Sequence, residues 1–456
     1  MTRRRFFKSC VIVLVFFIAI SGFSVTRYVL AHPNDPLQQN IASWARNKGL
    51  GVVIDQLETW THNEAPAVAP ADSLALVTFD TFPTVASTVV APSVTTAQPT
   101  KTSIEEKEIV VVTTTNSAGP ATPIRRVPTV ATQSCPSPQK TKPTTTTSTT
   151  TSTSTSTSTL MPDLSVPTTT STTTIPNRPE DVIPPVQPAI KGEGVWTAAV
   201  RVRSKPIVYA TSVRPLWCFG SVVATMAAYN PNRVHTALFN GNEVPGGKGW
   251  RNGDRIPSRG LPSLIASFNG GFRFEHNPGG YVTEGKTIQK MRKGYATFGI
   301  RADGSSTVGV WGDDMHDDDT WTSLRQNLPP LVVGGKSVYK DFPAVDWGKD
   351  FGNKVYNYRS AVCVRMDGMM MFVAVGKVNI GMLADTLIVL GCKTAMELDI
   401  NGEWPHFAGY KKFGTKNRSG FTIDTRMGDP NRHLNGSTKD FFALFDPRTL
   451  PKGAVR

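Results

Sequence analysis

From Thr144 to Thr159 the chain contains only threonine and serine. Such a stretch cannot bury enough apolar surface to offset the entropy lost on ordering it. Pro, Thr, Ser and Val dominate the sequence around it, from Glu64 to Ile190. Residues 64–190 therefore read as a disordered linker, with an r.m.s. reach of roughly 60 Å for a coil of that length. Its Thr and Ser content is compatible with O-glycosylation. Folding is confined to what lies on either side. Residues 191–456 are enough to build a sizeable core alone.

The N-terminal side holds two elements. Arg3-Arg4-Arg5 precedes the apolar run Val11–Ile20. Positive charge stays in the cytoplasm, so residues 1–30 read as a membrane anchor in a single-pass protein of the cell membrane. The C-terminal domain then lies outside the cytoplasm. The alternative is a cleaved signal segment using Val29-Leu30-Ala31 and a secreted product; Arg27 speaks against it. Either way the rest of the chain is exported. Residues 31–63 form a short helical segment, with Leu37, Ile41, Trp44, Ala45 and Leu50 along one stripe. It is expected to pack on itself or on the domain downstream.

The net charge is +14, but no basic helix or Arg-rich repeat concentrates it. This argues against nucleic acid as a partner and suits an anionic surface or a phosphate-bearing polymer. Of five cysteines, Cys218, Cys363 and Cys392 fall in the last domain. That odd count gives no disulfide framework and leaves room for one bridge in an exported chain, with Cys363 and Cys392 as the candidate pair.

From Trp196 onward short apolar runs alternate with turn residues. Strands are expected at Thr197–Val202, Ile207–Thr211, Val222–Tyr229, Leu264–Phe268, Tyr295–Ile300, Thr307–Trp311, Ser360–Met366 and Met370–Val375. Asp303-Gly304 and Asp367-Gly368 sit between strand pairs as hairpin turns. One clear helix, Ile380–Leu390, stops at Gly391. The fold class is α+β, with a mixed and mainly antiparallel sheet, few helices, and pairing mostly between sequence neighbours.

Ala395-Met396-Glu397-Leu398-Asp399-Ile400-Asn401-Gly402 is the segment richest in chemistry. In a strand, Glu397, Asp399 and Asn401 would line one wall while Met396, Leu398 and Ile400 face a core. Two adjacent acids repel unless a substrate, cation or arginine uses them. Asn269-Gly270-Gly271 closes the strand at Leu264–Phe268, where two glycines could bend the backbone into strained shapes and offer N–H groups to an anionic oxygen. Arg359 enters another strand. Its planar fork suits phosphate, or equally an ion pair with Glu397 or Asp399. Arg325, Gln326 and Asn327 read as surface or loop hydrogen bonders. The acidic run Asp313 to Asp319 lacks the periodicity of a calcium loop. The histidines lack zinc spacing. No cofactor is called for, and no ligand spacing requires Ca²⁺ or another metal.

The order of these pieces carries a resemblance. Asn269-Gly270-Gly271-Phe272 is followed by Gly279-Gly280-Tyr281 and Glu284-Gly285. Then come Pro330-Leu331-Val332-Val333 ahead of Gly335-Lys336, Arg359-Ser360-Ala361-Val362 before Asp367-Gly368, Leu383-Ala384 on a helix, and Met396-Glu397-Leu398-Asp399. Over roughly 196–445 the chain resembles the phosphodiester glycosidase family, in what looks like an envelope-anchored actinobacterial branch. The resemblance implies a hydrolase of sugar-1-phosphodiesters, with cell-envelope glycopolymers as the expected source of substrate. Asp399 and Glu397 would be catalytic, and Asn269, Gly270, Gly271, Arg359 and Asn401 would hold substrate. Many members follow the strand's Asp with Gly-Gly-Gly-Ser. Here Ile400-Asn401-Gly402-Glu403-Trp404 follows Asp399, a bulkier and more polar loop. The alternative is a catalytically inactive module that binds a glycan or phosphate polymer of the wall. Oligomeric state is not legible.

Overall fold

Gly-containing turns and short apolar runs shape the C-terminal part of the chain into three antiparallel sheets. The computed structural model describes residues 22–30, 37–50, a few positions between 53 and 66, 174–343, 347, 356–400 and 405–456. Two units divide the chain, 1–79 with 169–456 and 80–168. The second, with most of the linker, lies outside the described residues. So does the apolar run expected as an anchor. Among the described residues no helix is long and apolar enough to cross a membrane.

The largest sheet has eight strands in the order β1 (Thr197–Val202), β2 (Lys205–Val213), β3 (Ala224–Tyr229), β14 (Met370–Val378), β13 (Asn357–Arg365), β15 (Cys392–Ile400), β11 (Val332–Val333) and β12 (Lys336–Ser337). A five-stranded sheet runs β7 (Lys286–Gln289), β6 (Tyr281–Thr283), β10 (Trp321–Gln326), β8 (Ala296–Arg301) and β9 (Ser306–Val310). The third runs β17 (Gly420–Thr422), β16 (Phe407–Tyr410), β5 (Leu264–Asn269), β18 (Phe441–Phe445) and β4 (His235–Phe239). Asp303-Gly304 joins β8 to β9 and Asp367-Gly368 joins β13 to β14, each with glycine at positive φ. Pairing between sequence neighbours, however, is only part of the ladder. β3 pairs with β14, and β18 inserts between β4 and β5. Turn residues announce hairpins, but no local signal announces partners this distant.

Helices are few, as expected. α1 (Leu37–Ala45) precedes the linker, α2 (Ile380–Val389) covers the large sheet, and α3 (Arg432–Asn435) is a single turn. Asn379 caps α2 by accepting the Met382 N–H at 2.9 Å, and Gly391 at φ +77° ends it. Leu383 and Leu387 on α2 pack with Ala361, Cys363, Val373 and Val375. The other face of the large sheet meets the two smaller sheets in a second core. At its centre the Phe268 ring lies 5.2 Å from Phe442, 5.6 Å from Phe372, 5.9 Å from Phe407 and 6.2 Å from Phe298. One aromatic side chain thus joins all three sheets, one residue before Asn269.

Residues 175–190, given to the linker by composition, pack on this body. Val182 and Val186 are buried, the Trp196 N–H donates to Asp181, and Arg214 donates to the Pro188 carbonyl. The α1 segment packs both ways. The Trp44 indole donates to Ser24 of helical residues 22–30, the Tyr28 hydroxyl donates to Glu243, and Arg273 donates to Ser43.

Cys363 on β13 and Cys392 on β15 form the candidate bridge, with a Cα–Cα distance of 5.7 Å. The sulfurs sit in the α2 core, both cysteines fully enclosed. Closing a loop of 29 residues is worth about 3–4 kcal/mol by the chain-entropy argument. A Cys363→Ala/Cys392→Ala double variant should therefore unfold at lower urea concentration, by a shift that converts to about that energy. An unchanged midpoint would show the bridge to be without weight.

Candidate functional site

The third sheet and the large sheet meet where β5 and β15 end. Ser360 on β13 is the register partner of Asp399, whereas Ala361 is the partner of Glu397. One residue, Leu398, is skipped, so a register shift interrupts the strict alternation that would set both acids on one wall. Met396 and Leu398 do enter the core as expected. Glu397 and Asp399 are buried too, each with its own cation. The carboxylate of Glu397 accepts from Arg359 Nη1 at 2.8 Å. That of Asp399 pairs with Lys439 Nζ.

These two pairs differ in setting. Arg359 and Glu397 are fully enclosed, and Arg359 Nε also donates to the Val378 carbonyl at 2.8 Å. Glu397 Oε2 has no hydrogen-bond partner among the described residues. Burial raises the Glu397 pKa, with Arg359 opposing the shift. The Asp399–Lys439 pair lies at the strand ends and retains slight exposure. Burial lowers the Lys439 pKa, with the Asp399 charge opposing.

Asn269 borders this pair. Its side-chain amide donates to Ser360 Oγ at 3.0 Å and accepts the His406 N–H at 2.9 Å. Asn269 and Asp399 thus share Ser360 as neighbour. The two glycines that follow serve close packing, since neither has a positive φ. A Cβ on Gly270 would run into the Asp440 carboxylate, and one on Gly271 would lie 2.7 Å from Asn327 Oδ1. Their N–H groups are engaged as well. Gly270 donates to the Asp440 carbonyl at 3.0 Å, Gly271 reaches Asp440 Oδ2 at 3.5 Å, and Phe272 donates to Asn327 at 2.8 Å. An open backbone cradle is therefore not what this turn presents. Asn401 lies outside the described residues.

The largest departure from sequence reasoning is at the end of β10. Arg325, Gln326 and Asn327 are not surface groups, for all three are fully buried. Arg325 grips Asp440 through Nε at 2.9 Å and Nη2 at 3.2 Å, and donates to the Phe272 carbonyl at 2.6 Å. Gln326 accepts from Gly280 and Arg292 and donates to Thr297. Asn327 donates to the carbonyls of Glu397 and Leu398, at 2.8 and 2.9 Å. Arg325 and Asn327 thereby fix the Asn269–Phe272 turn, the end of β15 and the start of β18 to one another, while Gln326 ties together segments of the second sheet. Lys439 and Asp440 were also missed. The one available signal was a charged doublet directly before the all-apolar run Phe441–Phe445.

Behind Asn269 lies a buried polar row. Ser267 Oγ is 2.7 Å from both the Tyr410 hydroxyl and His433 Nδ1. The His406 and His433 rings meet edge to face at 5.0 Å, and neither ring nitrogen of His406 finds a hydrogen-bond partner among the described residues. Burial, reinforced by the Arg432 charge, pushes both imidazole pKa values well below their ordinary 6.5.

Two measurements follow. Arg325→Met would strand the Asp440 carboxylate in the interior, so stability should fall by about 3–5 kcal/mol; an unchanged urea midpoint would mean the pair is not what joins these segments. The second concerns acid. His406 and His433 stay neutral in the folded chain but take up protons near pH 6.5 when unfolded. Above that pH they add no pH dependence. Below it each lowers stability by up to about 1.4 kcal/mol per pH unit. The urea midpoint should drop between pH 7.5 and 5.5, and His406→Phe should flatten the drop; equal slopes in both chains would rule out His406 as a source.

Comparison with known proteins can now be set beside this geometry. Residues 263–399 match the family described as phosphodiester glycosidase. No curated protein matches the chain. Among solved structures, the catalytic domain of zebrafish N-acetylglucosamine-1-phosphodiester alpha-N-acetylglucosaminidase, auto-inhibited by its pro-peptide, is 16% identical. That match covers 55% of this chain and 87% of the other at a TM-score of 0.35. A hypothetical protein from Synechocystis is 12% identical over 54% of this chain and 64% of its own, at 0.34. A putative exported protein from Burkholderia pseudomallei is 13% identical over 49% and 74%, at 0.30. Over residues 263–399, the stretch that holds Asn269, Arg325, Arg359, Glu397 and Asp399, this chain matches the phosphodiester glycosidase family.

Proposed function

We propose that the chain is an extracytoplasmic hydrolase of sugar-1-phosphodiesters, with Asp399 as its working carboxylate and a glycan-type substrate. The observation that carries this reading is the Asp399–Lys439 pair beside Asn269 and Ser360, at the end of the family-matched segment. A sugar-1-phosphodiester already has a good leaving group. Water adds to the anomeric carbon, the bond from that carbon to the phosphate oxygen breaks, and the phosphate monoester leaves with the electron pair. Strong protonation of the leaving oxygen is less necessary than for an ordinary glycoside. What the transition state needs is a carboxylate near the oxocarbenium-like centre and a cation near the phosphate.

Asp399 takes the first role, stabilising the anomeric centre and accepting a proton from the attacking water. Lys439 takes the second by exchanging its contact with Asp399 for one with the phosphate. Asn269 would orient substrate by releasing Ser360 or the Gly270 carbonyl. Arg359 and Glu397 support β13 and β15 from within. Substrate contact through Arg359, Gly270 or Gly271 would require the partners they now hold to be displaced. Asn401 would join from the loop after β15. Export agrees with the Cys363–Cys392 bridge, which an oxidising compartment favours, and with the apolar run after Arg3-Arg4-Arg5. The same run would tether the domain to the cell membrane, with envelope glycopolymers within reach of the linker.

A second reading, a glycan-binding module without turnover, draws on the occupied N–H groups of Gly270, Gly271 and Phe272. Incubating the purified chain with a UDP-linked N-acetylglucosamine phosphodiester separates the two. Release of free sugar is expected, reduced at least a hundredfold by Asp399→Asn under conditions in which circular dichroism shows that the variant is folded. Near wild-type release by that variant would reject the role of Asp399, and binding without release would favour the module.

A further inference from the structure

The loop between β16 and β17 carries Lys411, Lys412, Lys416 and Arg418 and no acidic residue. It is a braced loop. Arg418 is buried and donates to three carbonyls, of Leu261, Lys411 and Pro262, at 3.0, 2.7 and 3.2 Å. The Gly414 N–H donates to the Pro262 carbonyl at 3.0 Å. The guanidinium also lies over the Phe413 ring at 4.9 Å. These bonds fasten the loop to the turn before β5, which presents the exposed Arg259 beside it.

Among the described residues no salt bridge engages Arg259, Lys412, Lys416 or Arg418. Arg418 is held by carbonyl dipoles instead of a carboxylate. Its pKa is pulled down to about 10 by burial alone, a desolvation that a nearby anion would relieve. The loop's aromatic groups do not stand clear of the surface. The Phe413 ring lies against the buried Arg418 and the Phe421 ring against Lys411, and both rings are partly buried. A surface built to enter a lipid interface needs protruding apolar side chains, so the chemistry fits a hydrophilic polyanion.

The location is informative. The loop sits over the start of β5, and Asn269 ends that strand, about 17 Å away at the rise of an antiparallel strand. We propose that the β16–β17 loop, with Arg259, is a docking surface for a phosphate-bearing polyanionic polymer, separate from the Asp399 site and needing no turnover there. A polymer held at this end of β5 keeps its phosphodiester repeats near the other end.

Long-chain polyphosphate is the probe, and its binding to the purified full chain is measured by fluorescence titration over a range of salt. An Arg259→Glu/Lys412→Glu/Lys416→Glu triple variant should bind at least tenfold more weakly, with a shallower salt dependence. A control triple, Lys191→Glu/Lys336→Glu/Lys393→Glu, makes the same change in net charge at exposed sites on other elements and should shift binding less than twofold. Equal losses in both triples would reduce the effect to net charge and overturn the proposal, as would absence of binding by the natural chain. Binding to anionic vesicles that depends on the same three residues, without binding to polyphosphate, would replace the polymer with a membrane. Sugar release is not among the readouts, so failure of the hydrolase reading leaves this test intact.

Discussion

Arg325 and Asp440 form the contact on which the geometry of the whole region around Asp399 depends. Both are fully enclosed. Arg325 belongs to one small sheet, Asp440 introduces β18 of the other, and the Phe272 carbonyl gripped by the same guanidinium belongs to the turn after β5. A bidentate pair fixes distance and angle together, where an apolar contact fixes neither. Its neighbour Asn327 extends the same grip to the backbone of β15. Removing two charges from water is costly. What that cost secures is a fixed relation between strands that share no ladder.

Electrostatic matching explains how so much charge survives in the interior. Glu397 is answered by Arg359, Asp399 by Lys439 and Asp440 by Arg325. The register shift beside Ser360 is what lets Glu397 and Asp399 take different partners. The Asp399 pair lies at strand ends and is bridged by a lysine. A lysine has a single-point charge that can move from one anion to another, while a forked arginine held by backbone and carboxylate is tied in place. The proposed function rests on that difference between the two pairs.

Much of this was legible in the sequence, for reasons that show where legibility stops. Strands at Thr197–Val202 and Met370–Val375, the hairpin glycines Gly304 and Gly368 and the helix ending at Gly391 are set by local backbone preference, and local pattern found them. Elimination left three cysteines in the domain, and the fold shows the candidate pair Cys363 and Cys392 to be bridged. Arg325, Gln326 and Asn327 were misread because polar residues near a Pro-Pro turn look solvated; only tertiary partners reveal them as interior. Asn269-Gly270-Gly271 was placed correctly at a strand end, but its glycines answer to crowding by Asp440 and Asn327, which no spacing rule encodes. Lys439 lies forty positions from Asp399 and could not be paired with it without the fold.

The position of β18 has a consequence for biogenesis. This strand slots between β4 and β5, elements synthesised roughly two hundred positions earlier, and brings Lys439 and Asp440 with it. Until it docks, β4 and β5 lack their shared neighbour, and two buried charges, Asp399 and Arg325, lack counterparts. A partly made chain would thus carry a half-built sheet with two unzipped borders. Such unpaired edges are templates for pairing with another chain, so the last strand closes the fold against association as well as completing its core.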